Sequence, residues 1–198
     1  MLTQHGLTRT VAPTVEPLTF EQVRDFARID GDADLRDISE LIKAVRDSCE
    51  FESERSLLRQ TWAMTLDDFP ASDTIELPRP PLSSVSSVSY IDGNGSTQTF
   101  SSSDYDVDTT REVGRIRLLP SISWPTTQAG RANAVTITYL AGYGTAATDL
   151  PASLTFAMKR HVDSIYHGLD EVSQHNKGIG RLPDYLRIYH KFRPGHYD

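Results

Sequence analysis

The feature that most constrains this chain is a change of hydrophobic period, from 3.6 residues to 2 and back again. Leu35, Ile38, Leu41, Ile42, Val45 and Cys49 follow the i, i+3, i+4, i+7 spacing of one helix face. Arg36, Asp37, Glu40, Lys43, Arg46, Asp47 and Glu50 fall on the opposite face, which predicts a strongly amphipathic helix starting near Asp34. At Gln60 the period becomes two: Trp62, Met64 and Leu66 alternate with Thr61, Ala63 and Thr65, the pattern of a half-buried strand. Further short strands are expected at Thr74–Leu77, Val85–Ile91, Thr97–Phe100, Tyr105–Val107, Arg115–Leu119 and Val135–Leu140. Helical spacing returns in Leu154, Met158, His161, Val162 and Ile165, with Pro151 suited to a first helical turn. The chain therefore predicts an α+β fold. Its parts are a helical scaffold of two N-terminal helices plus a C-terminal helix, an inserted small antiparallel β-domain, and extended terminal arms.

Local signals punctuate this plan. Thr19 with Gln22 three residues on fits a capping box, and Leu18 with Val23 fits the accompanying hydrophobic staple. The helix they open places Phe20, Val23, Phe26 and Ala27 on one face and breaks at Asp30-Gly31-Asp32. Asp92-Gly93-Asn94-Gly95 is a hairpin signal, because these residues tolerate positive φ. Leu77-Pro78-Arg79-Pro80-Pro81-Leu82 cannot donate a continuous ladder and reads as a rigid extended connector. After a loop from Ser173 to Gly180, Pro183 opens a short helix with Tyr185, Leu186, Ile188 and Tyr189. The divisions are an N-terminal arm 1–17, a helical scaffold 18–59 and 150–190, a β-domain 60–149 and a C-terminal tail 191–198.

The formal net charge of the 198 residues is -7, unevenly spread. Residues 151–198 carry seven basic against five acidic side chains, whereas residues 61–150 carry five against ten. An acidic body argues against tight nucleic-acid binding, which needs Lys and Arg to neutralise phosphates. No apolar run reaches the roughly 20 residues of a membrane span, so no membrane association is expected. A lone cysteine, Cys49, rules out an internal disulfide framework and fits a reducing cytosol; on the apolar stripe it reads as a small buried hydrophobe.

Catalysis needs converging groups. His5, His161, His167, His175, His190 and His196 include no i, i+4 pair with a glutamate between, and each reads as a structural or surface histidine. No nucleophile elbow occurs. Gly142-Tyr143-Gly144 and Gly178-Ile179-Gly180 lack the third glycine and βαβ context of a nucleotide loop. Asp104, Asp106 and Asp108 alternate as metal ligands can, but the glycine and final glutamate of a calcium loop are missing, and a charged strand edge is the better reading. No enzymatic activity, metal or cofactor is expected.

Read in order, the segments LTFEQVRDFARID, LRDISELIKAVRDSCEFESERSLL, RQTWAMTLDDFP, IELPRPPLSSVSSVSYIDGNG, YDVDTTREVGRIRLLPSISWP and NAVTITYLAGYGTAATDLPASLTFAMKRHV resemble the head–tail connector (adaptor) proteins of tailed phages, in the branch with a β-rich insertion between helices. The resemblance spans about residues 18–166 and rests on the ordered combination, above all the Q-T-W strand, the L-P-R-P-P-L connector and the A-G-Y-G turn before a proline-started helix. It implies a virion neck subunit, made in the host cytoplasm. Such a subunit forms a homo-oligomeric ring of about twelve copies with head-to-tail contacts. The ring binds the portal protein above and a stopper or tail-completion protein below, and double-stranded DNA passes its lumen without sequence-specific binding.

With that role implied, two sets of residues are candidate contacts. The net-basic C-terminal segment interleaves charge with interface-type aromatics, which gives Lys177, Arg181, Tyr185, Arg187, Tyr189, Lys191, Phe192, Arg193 and Tyr197 as portal-docking candidates. The hairpin tip Asp92, Gly93, Asn94 and Gly95, with Asp104, Asp106 and Asp108, are candidates for contact with a neighbour or the tail side, since strand edges invite partners. The alternative is a small carbohydrate- or peptide-binding module on a helical scaffold, using Trp62, Tyr90, Trp124 and Tyr143 as exposed aromatics.

Overall fold

The computed structural model describes residues 5–29, 35–168 and 183–195. The fold is α+β, with an antiparallel β-rich insertion between helices. The chain divides into two compact units, Met1–Pro13 with Arg59–Gly142 and Thr14–Leu58 with Tyr143–Asp198.

Among the described residues the first unit holds eight strands: β1 Gly6–Val11, β2 Gln60–Leu66, β3 Thr74–Glu76, β4 Leu82–Ile91, β5 Thr97–Phe100, β6 Tyr105–Asp108, β7 Arg115–Leu118 and β8 Val135–Ala141. They form a five-stranded sheet of order β1-β2-β8-β4-β5 and a three-stranded sheet of order β3-β7-β6. All pairings are antiparallel. Strict alternation fixes the register of β2 on β8, from Gln60 opposite Ala141 to Leu66 opposite Val135. It buries Val135, Ile137, Tyr139 and Ala141 on one face of β8. Their core includes Met64, Leu66, Val88, Ile116 and Phe100. Tyr139, fully buried, donates its hydroxyl proton to the Pro78 carbonyl at 2.8 Å, satisfying its polar end.

Two expectations change here. Residues 6–11 do not form an irregular arm but pair with β2, Leu7 opposite Met64 and Arg9 opposite Trp62. Leu82, expected in the connector, already pairs with Ala141, so β4 starts there and continues past two register shifts. The expected hairpin joins β4 to β5, with Gly95 at φ 80, a conformation glycine adopts without strain.

The second unit contains α1 Phe20–Ala27, α2 Leu35–Ser53, α3 Ala152–Tyr166 and the short α4 Asp184–Lys191. The capping box closes as expected: Gln22 N donates to Thr19 Oγ1 at 3.2 Å and Thr19 N to Gln22 Oε1 at 3.1 Å. Leu18 and Val23 are both buried beneath it. The break at residues 30–32 and the loop at 173–180 lie outside the described residues. A core runs through Val23, Ile42, Val45, Cys49, Leu154, Met158, Val162 and Tyr189. Before α3, Gly144 is required by close approach, since a Cβ there would meet Asp149 Oδ2 at 2.0 Å. That carboxylate accepts from Ala146 N at 2.9 Å.

The polar face assigned to α2 is partly wrong. Arg46 and Glu50 are buried. Burial of a charge demands a partner, and both have one. Arg46 Nη1 donates to both oxygens of Glu16, at 2.6 and 2.8 Å, and Glu50 Oε1 accepts from Leu57 N at 2.9 Å. Ile165, expected on the buried face of α3, is exposed.

Candidate functional site

The C-terminal segment is folded onto its own unit. Pro183 precedes α4, and the i, i+4 pair Tyr185 and Tyr189 occupies the buried face of that helix. Tyr189 is fully buried, its hydroxyl 3.4 Å from His161 Nδ1, and the His161 ring stacks on Tyr185 with centroids 4.1 Å apart. Burial pushes the Tyr189 phenol and the Cys49 thiol well above their ordinary values. These two tyrosines are core residues, which corrects their assignment to a docking surface. The i, i+4 spacing behind a proline was the signal for this in the sequence.

Charged groups pin the residues that follow. Glu52 Oε2 accepts from His190 Nε2 at 2.8 Å and from Arg193 Nη2 at 3.1 Å, while Arg193 Nε donates to the Glu52 carbonyl at 2.6 Å. Arg55 Nε donates to the Phe192 carbonyl, and its guanidinium lies 6.0 Å from the centre of the Phe192 ring. Phe192 and Arg193 thus serve intramolecular contacts, and of the described candidates Arg187 and Lys191 are the exposed ones. Lys177, Arg181 and Tyr197 lie outside the described residues.

The hairpin tip is shaped from within. Asp92 Oδ1 accepts from Asn94 N at 2.9 Å and Ser96 N at 3.0 Å, and Oδ2 accepts from Gln98 Nε2 at 2.9 Å. These bonds, the one from Gln98 foremost, hold the carboxyl below its usual range. Asp92 therefore organises the turn, while Gly93, Asn94 and Gly95 form its exposed surface. Strand β6, with Asp106 exposed, is an outer strand of its three-stranded sheet. Asp108 accepts from Thr110 Oγ1 at 2.7 Å, Thr110 N at 3.1 Å and Arg115 Nε at 3.2 Å, and its carboxyl is held low for that reason. Asp104 is half-buried, 3.3 Å from Ser103 Oγ. No hydrogen bond or ion pair joins the tip to residues 104–108 among the described residues, so the structure does not assemble them into one site.

The four aromatics of the binding-module alternative are half-buried rather than exposed. Trp124 stacks on Phe69 at 4.8 Å and donates Nε1–H to the Ser72 carbonyl at 2.7 Å. Trp62 lies under the Arg79 guanidinium at 5.6 Å, and Tyr90 meets Phe69 edge-on. Trp62, Tyr90 and Trp124 pack against the β core, and Tyr143 against the helical core. Among the described residues no three His, Cys, Asp or Glu side chains are grouped to hold a metal. His167 Nε2 lies 2.8 Å from the Ala27 carbonyl, His5 is exposed, and His175 and His196 lie outside the described residues.

No family model and no curated protein matches the sequence. Solved structures do resemble the fold. A chain in the virion of a native gene transfer agent particle superposes with TM-score 0.75 at 19% identity, covering 94% of both chains. A chain in the neck of an empty gene transfer agent particle, computed with C6 symmetry, gives TM-score 0.74 at 21% identity over 95% of both. A chain in the neck of the native particle, computed with C12 symmetry, gives 0.72 at 19% identity over 95% of this chain and 94% of that one. At these identities the likeness establishes the fold.

Proposed function

We propose that this chain is a structural subunit of the neck of a tailed phage or phage-like particle. It acts there as a head–tail connector, in a ring of about twelve copies closed by head-to-tail contacts. The observation that carries this reading is the fold match over 94% of both chains to a subunit of a gene transfer agent virion, with similar chains in neck structures of C6 and C12 symmetry. The role is structural and needs no catalytic group. The acidic balance of the chain suits a conduit, because a wall that repels phosphate lets DNA slide. In this reading the ring sits under the portal and extends its channel. The exposed Arg187 and Lys191 of α4 face the portal, and the Gly93–Gly95 tip with the outer edge of β6 faces a neighbour or the tail-side protein.

The test is the mass of the complex formed when the chain is mixed with the portal protein of its own particle. A complex carrying about twelve copies supports the reading. A chain that stays monomeric beside the portal counts against it.

A further inference from the structure

The helical unit presents two exposed apolar features outside its core. On α2 the buried stripe is Ile38, Ile42, Val45 and Cys49, and Phe51 projects from the other side, 67% exposed. On α3 the buried residues are Leu154, Ala157, Met158 and Val162, and Phe156 projects outward, 51% exposed. Phe156 packs edge-on against Phe26 of α1, centroids 5.9 Å apart. Together with Pro17, Leu150 and Ala152 these rings wall a groove of about 520 Å³. Phe51 and the groove thus stand on the outer faces of different helices, each on the side away from the shared core.

Their charges are complementary. Lys159 is the one charged residue lining the groove, and it is in no ion pair among the described residues. Asp47 stands four residues before Phe51 on the same face, and Glu54, in the left-handed turn that ends α2 (φ 56), donates its N–H to the Phe51 carbonyl at 3.3 Å; Asp47 pairs with Arg46 at 3.0 Å, whereas Glu54 is exposed and in no ion pair among the described residues. A closed head-to-tail ring needs two different, mutually complementary patches on each subunit, aimed in different directions. An aromatic knob beside acidic residues and a lysine-edged apolar groove are two different patches of complementary shape and charge, and an aromatic seated in an apolar pocket is the usual energetic centre of an interface.

Resting on the ring reading above, we infer that Phe51 of one copy seats in the α1–α3 groove of the next copy, with Glu54 of the first against Lys159 of the second. The contact is heterologous, so it propagates around the ring rather than closing a dimer.

The test uses two full-length variants, Phe51→Cys and Ala152→Cys, mixed in equal amounts and treated with a short bis-maleimide. Both positions are exposed, and the natural Cys49 is buried. The expected product joins one variant to the other, and neither variant joins to itself. A companion series reads association by analytical ultracentrifugation. Glu54→Lys and Lys159→Glu should each weaken it about threefold to tenfold, and the double reversal should return it near the wild-type value. Cross-linking without closed rings would uphold the contact and count against the ring. Rings without the cross-link would uphold the ring and overturn the contact. A double reversal as weak as the single ones, or 51-to-51 products, would also overturn it.

Discussion

Tyr185 and Tyr189 show how spacing outranks company. Set among Arg187, Lys191 and Arg193 they resemble interface residues, yet one helical turn separates them and both face the core. Tyr189→Ala should cost about 3–5 kcal/mol of stability through the cavity it leaves. Tyr189→Phe, which keeps the ring and loses only the hydroxyl's hydrogen bonds with His161 and Cys49, should cost less, about 0.5–1.5 kcal/mol. Urea unfolding of both variants checks this, and a Tyr189→Ala loss below that of Tyr189→Phe would contradict the placement. Asp92 carries a pH prediction. Its folded carboxyl titrates below the ordinary 3.8, so the hairpin stability it contributes is fully present above that value. That contribution is lost as pH falls through the lower, folded value. Carboxyl NMR should place its midpoint below 3.8. A midpoint at or above 3.8 would refute the turn role.

Elements were legible where one period held for several turns or where an end carried its own chemistry. The stripe of α2, the alternation of β8, the Thr19–Gln22 cap and the Asp92–Gly95 turn are all present. Strand β1 was not legible, because its partner β2 lies some fifty residues away and Leu7 and Thr8 carry no signal of that pairing. The same limit hid Arg46 and Glu50, whose burial depends on Glu16 and on the Leu57 amide rather than on helix phase. Ile42→Asp, 4% exposed, should destabilise the helical unit by several kcal/mol, whereas the half-buried Leu41 should tolerate the same change better. Removing residues from Phe192 onward should lower the melting temperature, since Arg55 and Glu52 lose partners. That truncation therefore cannot report on docking alone. Charge reversal at the exposed Arg187, whose ion pair is with the exposed Asp184, is the cleaner probe, expected to weaken portal binding with little change in the melting temperature.

At the scale of the whole molecule, the order helix, helix, β-insertion, helix was readable because each change of period marks where one kind of packing stops and another begins. Contact surfaces were not, because a charged or aromatic side chain has the same letter whether it meets its own core or another subunit. The central claim is that this fold takes its place in a neck as one of a closed ring. A cryo-electron-microscopy reconstruction of the particle's neck tests it most directly. The account predicts a ring of about twelve copies of this chain beneath the portal, with Phe51 of each copy against α1 and α3 of the next. A neck that lacks the chain, or one that holds it as isolated single copies, would contradict the account.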